Sequence, residues 1–263
     1  MIRTMVNGLP GKMATAIALA ILRGDGKFSL VGASHTGPET EKEFVELENR
    51  FIKLVKPGEL REKIFSGGKP HYGDFYAIDC TLPSAVNENA EFYCRHDIPF
   101  VMLTTGGDRE ALVKAVKNSQ ISAVIAPNMA YPVVMIQAAV KYMADSFPEA
   151  LKGFKLEITE SHQATKVDTS GTAKAMVKNF NQLGISFEEK QIVMIRDAEY
   201  QLNEMGIPEE YLKGHGHHKY RFISSDESMV LEIAHNVNGR QPYVNGTLKA
   251  LTFLAEKVRA GSR

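Results

Sequence analysis

Along the first half of the chain, short apolar runs alternate with stretches whose apolar residues recur at helical spacing. Ile2–Val6, Phe28–Ala33, Tyr76–Thr81, Pro99–Thr104 and Ser122–Ala126 read as buried strands. Lys12–Leu22, Ser84–His96, Arg109–Lys117 and Pro132–Ser146 read as the helices around them. Such alternation predicts a parallel sheet covered by crossover helices. The stretch Glu39–Gly73 is more charged and carries the breakers Lys56-Pro57-Gly58 and Ser66-Gly67-Gly68, so it reads as an insert holding a helix and short strands.

After Pro148 the pattern changes. Phe154–Glu160, Gln191–Ile195, Lys219–Ser224 and Met229–His235 read as longer strands in which apolar and polar residues often alternate, as in an antiparallel or mixed sheet. Between them Gly171–Leu183 has a helical stripe of Ala173, Met176, Val177 and Phe180, with Ser170 placed to cap it and Gly184 to end it. A last helix, Asn245–Arg259, carries Leu248, Leu251, Leu254 and Val258 on one face and is expected to return to the first domain. No internal repeat is visible.

Composition narrows the partner. The 263 residues hold 31 Lys plus Arg against 31 Asp plus Glu, so no net charge favours nucleic acid or a membrane surface, and a small molecule is the expected partner. Cys80 and Cys94 are the only cysteines and are expected to be free thiols in a reducing compartment. No run approaches the roughly 18 apolar residues of a membrane helix, which predicts a soluble protein. The opening residues leave no room for a signal segment, so the expected location is the cytoplasm, or an organelle such as the plastid stroma if a targeting piece has been removed.

The first strand runs directly into Gly8-Leu9-Pro10-Gly11-Lys12-Met13-Ala14 at the start of the first helix. Glycines there let backbone N–H groups and the helix N-terminus approach a pyrophosphate, although an ordinary strand-to-helix turn has the same look. The second strand ends in Ser34-His35-Thr36 with no carboxylate in Gly32–Gly37. Those side chains and Lys12 could donate to a 2′-phosphate, which favours NADPH, with NADH as a poorer alternative. Cys80-Thr81, Thr104-Thr105-Gly106 and Pro127-Asn128-Met129 fall at later strand ends, the edge where open α/β sheets take ligands. The expected fold class is therefore α/β, with a Rossmann-like dinucleotide-binding domain formed by residues 1–129 and 241–263. Residues 130–240 are expected to form an α+β domain with a mixed sheet, for substrate binding and oligomerisation.

The densest chemistry lies between Glu160 and Ala173. Glu160 and His162 share a strand face, Lys166 follows in a loop, and Ser170-Gly171-Thr172 opens a helix. Helix N–H groups, two hydroxyls and an ammonium suit a carboxylate, and His162 adds a proton-handling group. Gly214-His215-Gly216-His217-His218 reads as a loop before a strand that could turn a histidine toward substrate, and no metal is expected, since no partner at ligand spacing accompanies the three imidazoles. Arg240 could grip a carboxylate with its planar fork.

These segments together resemble the dihydrodipicolinate reductase family, nearer its plant and cyanobacterial branch, almost from end to end. The opening turn Gly8–Ala14, Leu103–Gly106, Glu160–Thr172 and Leu231–His235 are similar to the family's phosphate turn, its GTTG stretch, its E-x-H-H-x-x-K-x-D-x-P-S-G-T element and its LEI-x-H strand. Gln163 replaces the family's second histidine, the proline before Ser-Gly-Thr is missing, and Leu103 stands for the first glycine of GTTG. The resemblance implies NADPH-dependent reduction of a cyclic imine dicarboxylate to tetrahydrodipicolinate, on the diaminopimelate route to lysine. It implies that His162 and Lys166 supply the proton, that Ser170, Gly171 and Thr172 hold the dicarboxylate, and that His218 and Arg240 resemble further substrate-side positions. A homo-oligomer, dimer or tetramer, is expected, and hydride transfer over about 3–3.5 Å requires domain closure, with hinges expected near Asn128–Ala130 and Asn238–Gln241. The competing readings are another two-domain reductase of the aspartate dehydrogenase type and a silent NADPH sensor.

Overall fold

The computed structural model describes residues 1–58, 74–126 and 128–261; Ser66-Gly67-Gly68 and Pro127 lie outside them. The chain divides into two compact units, Met1–Met129 with Tyr243–Arg263, and Ala130–Pro242.

In the first unit five parallel strands run in the order β2-β1-β6-β7-β8. They are β1 (Ile2–Asn7), β2 (Phe28–Leu30), β6 (Tyr76–Asp79), β7 (Phe100–Met102) and β8 (Ala123–Ile125). Because neighbouring strand residues point to opposite faces, the sheet supplies two cores. Val6, Ile78 and Val101 pack with α1 (Lys12–Arg23) and with the returning C-terminal helix (Gln241–Arg259), through Ile17, Ile21, Leu251 and Leu254. Met5, Ala77, Phe100 and Met102 pack with α2 (Val86–Arg95) and α3 (Arg109–Lys117), through Ala90, Tyr93 and Leu112. This is the expected α/β build: a parallel sheet wound on both sides, with its strand ends free for a ligand.

One expected strand is two. Phe28–Ala33 breaks after Leu30, and β3 (Ala33–His35) leaves the main sheet to pair in parallel with β5 (Arg50–Val55). The amide of Lys53 donates to the carbonyl of Gly32, which captures the chain at the break. β4 (Phe44–Leu47) completes this small sheet as a hairpin with β5. Glu48 and Asn49 at its tip both have positive φ, as the right-handed twist of a two-residue hairpin requires.

The second unit has a mixed sheet in the order β10-β9-β11-β12, formed by β9 (Lys155–His162), β10 (Val193–Ile195), β11 (His215–Ile223) and β12 (Val230–Asn238). Two helices, α4 (Tyr131–Ser146) and α5 (Gly171–Gln182), cover one face. Leu156, Ile158, Tyr220 and Phe222 from the sheet meet Val140, Ala144, Met176 and Phe180 from the helices. The other face is charged, and Arg221 there pairs with both Glu157 and Glu232. The histidine run 215–218 corrects the expectation of a loop: it is the first half of β11, paired with β9 on one side and β12 on the other. Two neighbouring strands satisfy its backbone, and that overrides the two glycines that make it look like a turn. A short helix, α6 (Ala198–Asn203), and α7, the C-terminal helix Gln241–Arg259, complete the numbering.

Phe180 is fully buried, with Tyr220 and Phe222 edge-to-face at ring separations of 5.2 and 4.9 Å. Phe180→Ala is expected to cost about 3–5 kcal/mol. Urea unfolding followed through the second unit's transition measures it; a cost below about 1 kcal/mol would show that this core does not hold the unit together.

Candidate active site

The first unit carries a cavity of about 470 Å³ at its strand ends. Of the residues expected to bind a dinucleotide, Gly8, Leu9, Pro10, Gly11, His35, Thr36, Cys80 and Thr81 line it. Gly8 is there of necessity: its φ is +103° and a Cβ would stand 2.4 Å from the carbonyl oxygen of Cys80. A Cβ on Gly11 would stand 2.7 Å from the carbonyl oxygen of Gly8. The turn therefore closes tightly over the end of β6 and delivers the chain to the start of α1. Its volume lies in the range of roughly 300–1,000 Å³ typical of small-molecule sites, and a glycine turn at a helix N-terminus suits phosphate, so the residues present fit a dinucleotide.

Other expected residues serve the cavity from behind. The Ser34 hydroxyl accepts from the Leu9 amide at 3.2 Å, and Thr36 Oγ1 lies 2.8 Å from both the Leu9 carbonyl and Thr40 Oγ1. Those two hydroxyls hold the glycine turn onto β3. Thr104 is buried and donates to Asp79 Oδ1 at 2.8 Å. Asp79 is a fully buried carboxylate at the end of β6, and it also accepts from the Thr81 hydroxyl at 2.7 Å, the Tyr93 hydroxyl at 2.8 Å and the Asn89 amide at 2.9 Å. Lys12, Thr105 and Gly106 are exposed, Met13 and Asn128 half-buried, and Met129 belongs to the core beside α1. Glu39, which sequence reasoning missed, also lines the cavity. Its carboxylate lies where a Cβ on Gly37 would be, 2.1 Å from Oε1.

In the second unit, β9 and β11 bring Glu160 opposite His218, and β12 adds His235 opposite His218. Glu160 is fully buried. Burial would raise its pKa, but hydrogen bonds from His162 and Arg196 and their charges outweigh that, and the carboxyl sits at about 2. His162 Nδ1–H donates to Glu160 Oε2, which leaves Nε2 as the nitrogen of this half-buried ring that Glu160 does not engage. Lys166 pairs with the exposed Asp168 at 2.6 Å. Ser170 stands at the N-cap of α5, yet its side chain makes no cap bond; the hydroxyl instead pairs with His218 Nε2 at 2.8 Å. Gly171 has open space where a Cβ would project, so nothing in the chain itself demands a glycine there. Thr172 is half-buried in the first turn of α5.

The structure thus gathers His162, Ser170 and His218 around Glu160, with Lys166 on the adjoining loop. Arg240 is exposed beyond β12, and no described hydrogen bond or ion pair joins it to them. Arg196, absent from the sequence reading, is the missing member: its guanidinium holds Glu160 with both terminal nitrogens, at 2.6 and 3.2 Å. Its only signal in the sequence is a basic residue just after a strand, and which strand lies beside β9 cannot be read there.

The other two histidines of the 215–218 run have structural partners. His215 donates to the Tyr211 carbonyl and accepts from Ser161, each at 3.0 Å, and His217 pairs with Asn238 at 2.9 Å. Among the described residues no group of three or more His, Cys, Asp or Glu is placed to hold a metal. No described helix is long and apolar enough to cross a membrane.

A doubly wound parallel sheet with a ligand-sized cavity at its strand ends, carried with an α+β unit rich in proton-handling side chains, is the build of a two-domain nicotinamide-dependent oxidoreductase. Within that class the chain belongs to the dihydrodipicolinate reductase family: residues 2–129 match "Dihydrodipicolinate reductase, N-terminus" and residues 132–261 match "Dihydrodipicolinate reductase, C-terminus". It is 43% identical over 258 residues to the probable 4-hydroxy-tetrahydrodipicolinate reductase 1, chloroplastic, of Oryza sativa subsp. japonica, covering 98% of this chain and 74% of that one. It is 44% identical over 259 residues to the 4-hydroxy-tetrahydrodipicolinate reductase 2, chloroplastic, of Arabidopsis thaliana, covering 98% and 73%. A solved structure of dipicolinate-bound dihydrodipicolinate reductase from Paenisporosarcina sp. TG-14 shares the fold, with a TM-score of 0.67 at 19% identity, over 97% of this chain and 95% of that one.

Burial, helped by His235 and His162, pushes the His218 imidazole down to about 3, and burial with His217 nearby takes His235 to about 4. Both are neutral in the folded protein. As pH falls below the ordinary value of 6.5, the unfolded chain takes up protons at these positions and the folded chain does not. Their contribution to stability is therefore full above 6.5 and is lost as pH drops toward about 4 for His235 and about 3 for His218. His235→Phe is expected to flatten the fall of Tm between about pH 7 and about pH 5. An unchanged slope would mean that His235 takes up its proton equally in both states.

Proposed function

We propose that this chain reduces a cyclic imine dicarboxylate, 4-hydroxy-tetrahydrodipicolinate or the dihydrodipicolinate derived from it, to tetrahydrodipicolinate, the reaction carried in its relatives' names, in the diaminopimelate route to lysine. The observation that carries the reading is the grouping of His162, Lys166 and the Ser170–Thr172 helix start around a buried Glu160 in a chain of this family. In the first unit, Gly8, Gly11 and Thr81 would cradle the dinucleotide, with Thr104 braced behind them; when bound, it supplies the hydride.

The chain's own part is to orient the substrate and handle the proton. The first turn of α5 aims backbone N–H groups out of the helix, and Gly171 leaves them uncovered, so one substrate carboxylate is held there with the Ser170 and Thr172 hydroxyls. Arg240 is assigned to the second carboxylate. Lys166 carries the proton that the reduced ring takes up, and His162, its Nδ1 committed to Glu160, keeps Nε2 for the substrate. Asp168 holds the Lys166 ammonium until substrate arrives.

The donor we assign is NADPH, with NADH also accepted. Lys12 follows Gly11 at the helix start and offers a cation to a 2′-phosphate, while Glu39 in the cavity wall offers an acceptor to an unmodified ribose. An exposed lysine contributes about 0–1 kcal/mol, so kcat/KM for NADPH should exceed that for NADH by less than about tenfold. A preference for NADH overturns that assignment. The active form we propose is a homo-oligomer, and the site of action the compartment of its relatives, the plastid stroma, or the cytoplasm.

With freshly made synthase product as substrate, rapid loss of NADPH absorbance is expected. Turnover only on a linear amino or imino acid favours an aspartate dehydrogenase type, and binding without turnover favours a sensor. Lys166→Ala is expected to lower kcat by about 10²–10⁴-fold with dinucleotide affinity unchanged. Near-normal turnover in that variant removes the lysine from the proton step.

A further inference from the structure

We propose that Arg196 is a positioning residue of this site, acting through Glu160 and the loop 163–170 to hold the His162 imidazole and the Lys166 backbone in their working arrangement. The inference rests on the reading of His162 and Lys166 as the proton-handling pair.

Every nitrogen of the Arg196 guanidinium is engaged. Nε donates to the Lys166 carbonyl at 2.8 Å. Nη1 donates to Glu160 Oε2 at 3.2 Å and to the Ile195 carbonyl at 2.9 Å. Nη2 donates to Glu160 Oε1 at 2.6 Å and to the Asp168 carbonyl at 3.4 Å. One rigid plane therefore ties the ends of β9 and β10 to both sides of the lysine that the loop carries. The side chain is 19% exposed and follows β10, which runs parallel beside β9, so its reach is set by the sheet.

The same plane governs His162. Glu160 Oε2 is shared between Nη1 of Arg196 and Nδ1 of His162, and Oε1 between Nη2 of Arg196 and the Ser170 amide. With both oxygens gripped, the carboxylate cannot rotate, and the imidazole it holds keeps one tautomer and one direction. Removing the fork frees the carboxylate and strips the donors from the Lys166 and Asp168 carbonyls at once. A lysine at 196 would keep the charge and lose the plane, so it is not a conservative exchange here.

Arg196→Lys and Arg196→Ala are each expected to lower kcat about 10²-fold, the scale of an ångström-sized misplacement, with KM for NADPH unchanged. Guanidinium chloride at millimolar, non-denaturing concentration is expected to restore a large part of kcat to Arg196→Ala and nothing to Arg196→Lys. A role confined to general stability lowers the folded fraction and gives no such rescue. In the wild type, ¹⁵N shifts of His162 should report a protonated Nδ1. The proposal is overturned if either folded variant keeps kcat within about threefold of wild type, if rescue fails, or if wild-type Nδ1 is bare. Should Arg196→Ala not fold, Arg196→Lys and the wild-type imidazole shifts decide it. Absence of reductase turnover in the wild type would sink the functional reading instead, and the imidazole shifts would still judge the positioning.

Discussion

A carboxylate removed from water is tolerated only when donors surround it, and the second unit is arranged about one such group. Glu160 has no exposed surface, and its two oxygens face Arg196, His162 and the amide of Ser170. Each of those donors arrives from a different place: the end of β10, the end of β9 itself, and the start of α5. Satisfying one buried charge therefore fixes where three segments meet. Either Arg196 or His162, removed alone, would leave the carboxylate buried and under-satisfied, a far larger loss than that of an exposed ion pair.

The first unit uses the same device with different chemistry. Asp79 is also fully buried at a strand end, but its donors are neutral: the Thr81, Thr104 and Tyr93 hydroxyls and the Asn89 amide. Tyr93 in turn accepts from Asn7, which accepts from the His35 amide, so the turns after β1, β3, β6 and β7 are tied to one carboxylate. Among the described residues lining that cavity there is no lysine or arginine, so a phosphate there would meet backbone amides and the helix end. In the second unit cations are kept against carboxylates, Arg196 on Glu160 and Lys166 on Asp168.

What the sequence made legible follows from how local each signal is. The β1 turn could be read because Gly8 and Gly11 are demanded by contacts within a few residues and with one neighbouring strand. The helix from Gly171 and its buried stripe were equally plain, since amphipathic spacing is a property of the segment alone. Ser170 was placed correctly at the helix start and assigned the wrong bond: a cap is the default for a serine there, but His218 lies across the sheet, 48 residues away, and takes the hydroxyl. Arg196, 36 residues from Glu160, and Glu39, brought over Gly37 by a turn, were invisible for the same reason. The break between β2 and β3 depends on a partner strand that arrives from the insert, and no pattern in residues 28–33 announces it.

The histidine run shows why residue type alone misleads. Three imidazoles within four residues look like a metal or loop motif, yet in a strand successive side chains leave on opposite faces. His217 accordingly turns to Asn238, and His218 to Ser170 and the ring of His235. Once separated, each is desolvated and its pKa lowered, so the rings act as hydrogen-bonding shape rather than charge. That neutrality matters to Glu160: a charged His218 beside it would compete with His162 and Arg196 for the same carboxylate. Burial of His218 thus leaves the negative charge to Arg196 and His162, and through Arg196 to the loop 163–170.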